Sequence, residues 1–140
     1  MTVDHSLPVR YYQVDAFTEE PFTGNPAGVV VDASGLSDAQ MQAIAREMNN
    51  SETAFVFPAA PDGSIPVRFF TPALEVPICG HATVATHTVR ALESGVTSGT
   101  VTQASPGGRW DISWERVGDV CRVTMRQQPV VRRGEVGNRA

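Results

Sequence analysis

Residues 68–92 read RFFTPALEVPICGHATVATHTVRAL, and this stretch decides the fold of the chain. The residues before Pro72 favour a strand, a connection follows as far as Pro77, and Cys79-Gly80-His81 predicts a tight turn that opens a helix. The first turn of a helix leaves backbone N–H groups without intrahelical acceptors. Those donors, with the positive end of the helix dipole, predict a seat for a carboxylate or a developing oxyanion.

The helix after Gly80 has small side chains almost all round. Ala82, Thr83 and Ala91 lie on different sides of it, which predicts close neighbours on several sides rather than one buried stripe. His87, on the same helix, is expected to pack or to face solvent. Because β segments precede and follow this helix, the sequence predicts an α+β fold. In that fold a strongly curved, mostly antiparallel sheet wraps around a central helix.

Working outward from this stretch, alternation and turn residues predict the other elements. Strands are expected at residues 10–17, 28–32, 53–57, 67–71, 100–104, 109–115 and 119–126. Another helix begins after Ser37, which forms a capping box with Gln40, and ends at Asn49-Asn50. The residues predicted for its buried face are Met41, Ile44, Ala45 and Met48.

The composition is that of an ordinary globular domain. The 140 residues are 41% hydrophobic and 19% charged, with a formal charge of −4 and no basic stripe, so nucleic acid is not an expected partner. The sequence shows no apolar run of membrane-spanning length and no CxxC pattern. It therefore predicts a cytoplasmic domain without a membrane partner or a structural metal site. Residues 1–9 are predicted as a loose leader, 10–129 as one lobe and 130–140 as a frayed tail.

Six sequence blocks resemble the phenazine-biosynthesis PhzF-like isomerase family. They are VDAF at 14–17, PFTGNP at 21–26, AREMN at 45–49, SET at 51–53, FFTP at 69–72 with Glu75, and CGHAT at 79–83. The blocks occur in the family's order and spacing. One block alone says little, whereas six in order make the resemblance specific.

The resemblance implies a diaminopimelate-epimerase-like fold. In that fold two similar lobes each wrap a sheet around a central helix, and the active site lies in the cleft between them. Family members are usually longer, and this chain corresponds to the N-terminal lobe alone. The resemblance implies a cofactor-independent isomerase that moves a proton on a small carboxylate-bearing substrate. The second wall of the site is then expected from a homodimer partner or from a separately encoded C-terminal lobe.

Glu52, in the Ser-Glu-Thr block, matches the family's catalytic carboxylate. The resemblance implies that Glu52 removes a proton from the substrate and that the proton returns elsewhere. The apolar residues 54–57 favour partial burial, and a partly buried carboxylate is a better base near neutral pH. Without the resemblance, a solvated glutamate at a strand end is the simpler interpretation.

His81 and Cys79 flank the glycine of the turn. His81 is expected to hydrogen-bond the substrate or to act as an auxiliary acid/base, and the alternative is a capping or packing histidine. Cys79 stands where related epimerases carry an acid/base cysteine, and the helix N-terminus is expected to lower the pKa of its thiol. Two-base racemisation needs a second thiol, but Cys121 alternates with Val123 and Met125 as a core residue. Cys79 is therefore interpreted as lining the site rather than as catalytic.

The remaining candidates are small or polar residues near the two key turns: Asn25, Asn50, Ser51, Gly80, Ala82 and Thr83. The backbone N–H groups of the last three, and the Thr83 hydroxyl, are expected to bind the substrate carboxylate. The first three are expected to hydrogen-bond near the site. The alternatives are an ordinary turn at Asn25 and a helix stop at Asn50.

The sequence leaves a second class of function open. A truncated lobe without catalysis would serve as a binding or scaffolding partner. Exchange of substrate protons with solvent distinguishes this interpretation from an isomerase. A third possibility, a cysteine-dependent racemase, requires both Cys79 and a second thiol.

Overall fold

The computed structural model describes residues 8–130 and shows an α+β fold. The strands are β1 (Tyr11–Ala16), β2 (Asn25–Val30), β3 (Thr53–Val56), β4 (Ile65–Phe70), β5 (Glu75–Val76), β6 (Ser98–Ser105), β7 (Gly108–Val117) and β8 (Val120–Met125). The helices are α1 (Asp38–Met48) and α2 (Gly80–Ser94). The predicted leader and tail lie almost wholly outside the described residues. Within those residues, no helix is both long and apolar enough to cross a membrane.

All the strands belong to one sheet, in the order β1-β2-β3-β4-β6-β7-β8, with β5 against β4. Five strand pairs are antiparallel, and two pairs, β2 with β3 and β4 with β6, are parallel. Strands from both ends of this order, β1 and β8, contact α2. Because one helix touches both ends of the sheet, the sheet must curl around it. This confirms the predicted architecture.

The small side chains of α2 allow strands to approach it from several sides. Its buried residues are Ala82, Thr83, Ala85, Thr86, His87, Val89 and Ala91. They share a core with strand residues such as Val67 and Phe69, neither of which is exposed. Gly95 ends the helix in the left-handed conformation, at φ 68°. The prediction of close neighbours around this helix is confirmed.

α1 begins with the predicted capping box. The Gln40 backbone N–H donates to Ser37 Oγ at 3.1 Å, and the Ser37 N–H donates to Gln40 Oε1 at 2.9 Å. Asn49 follows the helix in the left-handed conformation, at φ 55°. Both ends of α1 are therefore set by local sequence.

The prediction for the buried face of α1 is partly wrong. Met41 and Ala45 are buried, but Met48 is 44% exposed. The cluster that covers the first two, which includes Phe55 and Phe70, does not extend to the last turn of the helix.

The prediction that Cys121 is a core residue is also wrong. β8 alternates as expected, but its inward residues Cys121, Val123 and Met125 are only partly buried. β8 is the last strand of the sheet, so within residues 8–130 it has a strand neighbour on one side only. An edge strand cannot bury its inward face as completely as a central one.

Candidate active site

Glu52 lies where two parallel strands begin to pair. It immediately precedes β3, and its carbonyl accepts a hydrogen bond from the Gly28 N–H of β2 at 3.0 Å. The pairing of β2 with β3 starts at the same point, with Gly28 opposite Thr53. Strand pairing therefore fixes the backbone of Glu52 at the start of β3.

Tyr11 supports this segment from the neighbouring strand. Its ring lies over Gly28, where a Cβ atom would overlap it. The Tyr11 hydroxyl accepts a hydrogen bond from Asn50 Nδ2 at 2.6 Å, and Asn50 is only 8% exposed. Asn50 therefore ties the chain before Glu52 to β1 through its amide NH2. Sequence reasoning missed Tyr11 because no local pattern links it to Asn50.

The Glu52 carboxylate is largely enclosed. Its side chain is 23% exposed, and Oε2 lies 3.2 Å from His81 Nε2. That nitrogen is directed at Ser51 Oγ, also at 3.2 Å, so Glu52 Oε2 is buried without a hydrogen bond. A buried carboxylate oxygen without a hydrogen-bond partner costs free energy. A donor or a cation that reached Glu52 Oε2 would remove this cost.

His81 joins the thiol and the carboxylate of the site. Its Nδ1 lies 3.2 Å from Cys79 Sγ, while its Nε2 faces Ser51 and Glu52. A protonated thiol donates to Nδ1, which assigns the proton of the neutral imidazole to Nε2. The Nε2–H then points toward Ser51 Oγ. The ring can pass a proton between Cys79 and Glu52.

The environment of Cys79 corrects one prediction. Burial raises the pKa of its thiol to about 11, against the lowering effect of the Ala82 backbone N–H, and the Glu52 carboxylate raises it further. The helix N-terminus was expected to lower this pKa, but the loss of solvation is the larger effect. Cys79 is therefore a protonated donor at neutral pH and not the thiolate base that a cysteine-dependent racemase requires.

The N-terminus of α2 offers fewer donors than predicted. Thr83 is fully buried, and its N–H and hydroxyl both donate to the Cys79 carbonyl, at 3.0 and 2.7 Å. A threonine hydroxyl in a helix commonly bonds back in this way, so Thr83 does not face a substrate. Ala82 is fully buried as well, with its N–H toward the Cys79 thiol. The His81 N–H is also directed at this thiol, so the seat is reduced to the exposed backbone of Gly80.

Gly80 and Asn25 are both exposed. A Cβ atom at Gly80 would meet nothing within 4 Å, so packing inside the lobe does not require a glycine there. Asn25 is exposed and begins β2, at the same end of the parallel pair as Glu52. Both positions are free to approach a bound molecule.

The site is one wall rather than a closed pocket. A cavity of about 780 Å³ is lined by residues such as Asp62, Arg109 and Arg126, and its lining does not include Glu52 or His81. Gly80 is exposed, and a Cβ atom there would meet nothing within 4 Å. A molecule seated at Gly80 would be covered on one side only.

The same wall carries a set of metal-binding atoms. One carboxylate oxygen of Glu52, the thiol of Cys79 and one ring nitrogen of His81 lie within 4.8 Å of one another. Sequence reasoning found no metal site because these residues have no recognisable ligand spacing along the chain. The parallel pairing and the start of α2 bring them together.

Comparisons with known proteins agree with this description. A family model described as phenazine biosynthesis-like protein matches residues 14–140. The uncharacterized isomerase YddE of Escherichia coli is 51% identical over 118 residues, which cover 84% of this chain and 39% of that protein. The trans-2,3-dihydro-3-hydroxyanthranilate isomerase of Pseudomonas aeruginosa is 47% identical over 77 residues, which cover 55% of this chain and 28% of that protein. The chain thus spans less than half the length of these relatives.

The fold also has a counterpart among solved structures. The phenazine biosynthesis protein of the PhzF family from Bacillus anthracis superposes with a TM-score of 0.75 at 35% identity. The superposition covers 85% of this chain and 40% of that one. This likeness confirms the predicted lobe.

Proposed function

The chain belongs to the phenazine biosynthesis-like protein family, as its six sequence blocks predicted, and we propose that it forms one lobe of a cofactor-independent isomerase. Glu52 is the acid/base, and the substrate is a small molecule that carries a carboxylate. A relative named for the isomerisation of trans-2,3-dihydro-3-hydroxyanthranilate supports both the reaction type and the substrate class.

One observation carries this proposal: Glu52 Oε2 is buried, has no hydrogen bond and lies beside a helix N-terminus. A free lone pair next to a seat for negative charge is the arrangement that proton abstraction from a carboxylate-bearing substrate requires. Solvated glutamates at strand ends do not bury an unpaired oxygen.

In the proposed reaction, the backbone N–H of Gly80 holds the substrate carboxylate at the positive end of α2. Glu52 takes a proton from the carbon beside the unsaturated or carboxyl-bearing carbon. The proton then returns at another carbon, either from Glu52 or from His81 Nε2, which lies 3.2 Å away. The Cys79 thiol can resupply the ring through Nδ1.

The proposed reaction requires a second lobe, because this lobe covers a bound substrate on one side only. In a site open to water, a carboxylate is a weak base and one face of the substrate is unheld. We infer that the other wall comes from a second copy of this chain or from a separately encoded lobe. The lengths of the relatives, of which this chain covers 39% or less in the two cases above, support this inference.

Incorporation of solvent deuterium tests the acid/base role. The protein is incubated in deuterated buffer with trans-2,3-dihydro-3-hydroxyanthranilate and with a panel of cyclic and amino-acid carboxylates, and exchange is followed by NMR. Wild type should exchange one carbon-bound hydrogen of a substrate, and Glu52→Gln should lose this by about a thousandfold or more, the scale of a removed acid/base.

Glu47→Gln is the matched control, because Glu47 is an exposed glutamate on α1. It should exchange as wild type does. Equal exchange by wild type and Glu52→Gln would refute the catalytic role. If wild type, supplied with a candidate second lobe, exchanges none of these compounds, the non-catalytic binding lobe becomes the better interpretation.

A further inference from the structure

We propose that Glu52, Cys79 and His81 form a zinc-binding site, in which the ion binds the Glu52 carboxylate reversibly and blocks it. The three side chains supply one oxygen, one sulfur and one nitrogen, all within 4.8 Å of one another. The site uses residues of the candidate active site, but zinc binding itself does not depend on any reaction there.

The distances suit a tetrahedral ion. Zinc bonds of about 2.0–2.3 Å place neighbouring ligand atoms about 3.3–3.6 Å apart. Glu52 Oε2 and His81 Nε2 are already 3.2 Å apart, Cys79 Sγ lies 3.2 Å from the other ring nitrogen, and one ligand atom of each residue lies within 4.8 Å of the other two. Side-chain rotations that move atoms by about 1 Å therefore complete the geometry.

The state of Glu52 is an independent observation that points to a ligand. Its Oε2 is buried and accepts no hydrogen bond. A bound cation would satisfy this oxygen, which otherwise carries the cost of an unpartnered buried carboxylate.

The donor set selects the kind of ion. A thiolate and an imidazole favour zinc over magnesium or calcium, which prefer oxygen ligands. On binding, one proton leaves to solvent: the Cys79 thiol becomes a thiolate whose sulfur forms the zinc bond, and the ring proton of His81 moves from Nε2 to Nδ1, beside that sulfur. His81 Nε2 and the Glu52 carboxylate then bind through lone pairs. Two negative ligands then balance the ion, and the fourth position is left to water.

Zinc at this position has one consequence for the proposed isomerase. A carboxylate oxygen bonded to the ion cannot abstract a proton, so zinc should inhibit exchange and a chelator should restore it. This consequence rests on the proposed function, whereas the binding site does not.

Direct binding is measured on the metal-free chain with zinc alone, in competition with a chromophoric chelator. The expected result is one ion per chain, with Kd at or below about 1 μM. Cys79→Ser and His81→Gln should each weaken binding about tenfold or more. Cys121→Ser, which removes the other cysteine, should bind as wild type does. Thermal unfolding of each variant checks that it is folded.

Cobalt provides a second measurement that needs no altered ligand. Co²⁺ bound to wild type and to Cys121→Ser should show thiolate-to-metal charge transfer and the intense visible bands of tetrahedral coordination. The proposal is overturned by the absence of these bands, by undiminished zinc binding in Cys79→Ser, or by loss of binding in Cys121→Ser. If the bands are present but zinc leaves proton exchange unchanged, the zinc site stands and the role proposed for Glu52 fails.

Discussion

Lowering the pH should destabilise the lobe through His87 on α2. This side chain is 1% exposed and donates from Nε2 to Gln103 Oε1 at 2.8 Å, while Arg90 Nη1 lies 3.3 Å from its Nδ1. Burial lowers the pKa of His87 from 6.5 to about 4, and the Arg90 charge adds to this against the raising effect of Gln103. The folded state therefore keeps this ring neutral where an unfolded chain would protonate it.

The size of the effect follows from the two pKa values of His87. Because the folded-state pKa is depressed, the stabilisation is fully present above pH 6.5 and is lost as the pH falls toward 4. Linkage gives a loss of about 2 kcal/mol at pH 5 and about 3 kcal/mol at pH 4. That is a large share of the roughly 5–15 kcal/mol that stabilises an ordinary domain.

Urea unfolding between pH 7.5 and 4.5, followed by circular dichroism, measures this loss. The comparison is with His87→Gln, whose amide can still donate to Gln103 but does not titrate. All the other titratable groups are common to both proteins, so their contributions cancel in the difference. The free energy of unfolding of wild type minus that of His87→Gln should fall by about 2 kcal/mol between pH 7.5 and pH 5. A difference in free energy of unfolding that stays constant over this range would refute the assignment of a buried neutral His87.

Three further predictions test the site. Gly80→Ala should change the free energy of unfolding by less than about 1 kcal/mol, since nothing lies within 4 Å of the added Cβ. It should nevertheless lower proton exchange about tenfold or more, because that space is where the substrate approaches; full exchange would contradict the proposed seat. Tyr11→Phe should cost about 1–2 kcal/mol in urea unfolding by removing the 2.6 Å hydrogen bond from buried Asn50, and an unchanged midpoint would argue against that support. At pH 7.5, iodoacetamide should alkylate Cys79 about tenfold or more slowly than Cys121, because the pKa of Cys79 is about 11. Peptide mapping that shows equal rates would contradict the protonated thiol.

Local sequence predicted the parts of the fold that local physics determines. The capping box of Ser37 with Gln40 and the left-handed Asn49 depend on contacts within a few residues, and both were found. The small residues of α2 predicted a helix with neighbours on several sides, because only small side chains allow strands to come close all round.

The misses at Cys79 and Tyr11 depend on contacts distant in sequence, whereas the hydrogen bond of Thr83 is local. The pKa of Cys79 is set by burial beneath other elements, which outweighs the local helix N-terminus. The Thr83 hydroxyl has a carbonyl acceptor four residues earlier, and tertiary packing leaves it no route to a substrate. Tyr11 reaches Asn50 only because β1 and β2 pair and Gly28 leaves room for its ring.

The central claim is that Glu52 acts only when a second lobe closes the site. The most direct test is to measure mass by sedimentation and solvent-deuterium exchange on the same sample, with and without a candidate second lobe. We expect exchange that depends on Glu52 to accompany the assembled species and to be absent from the 15.0 kDa monomer. A clean monomer that shows full Glu52-dependent exchange would contradict the account.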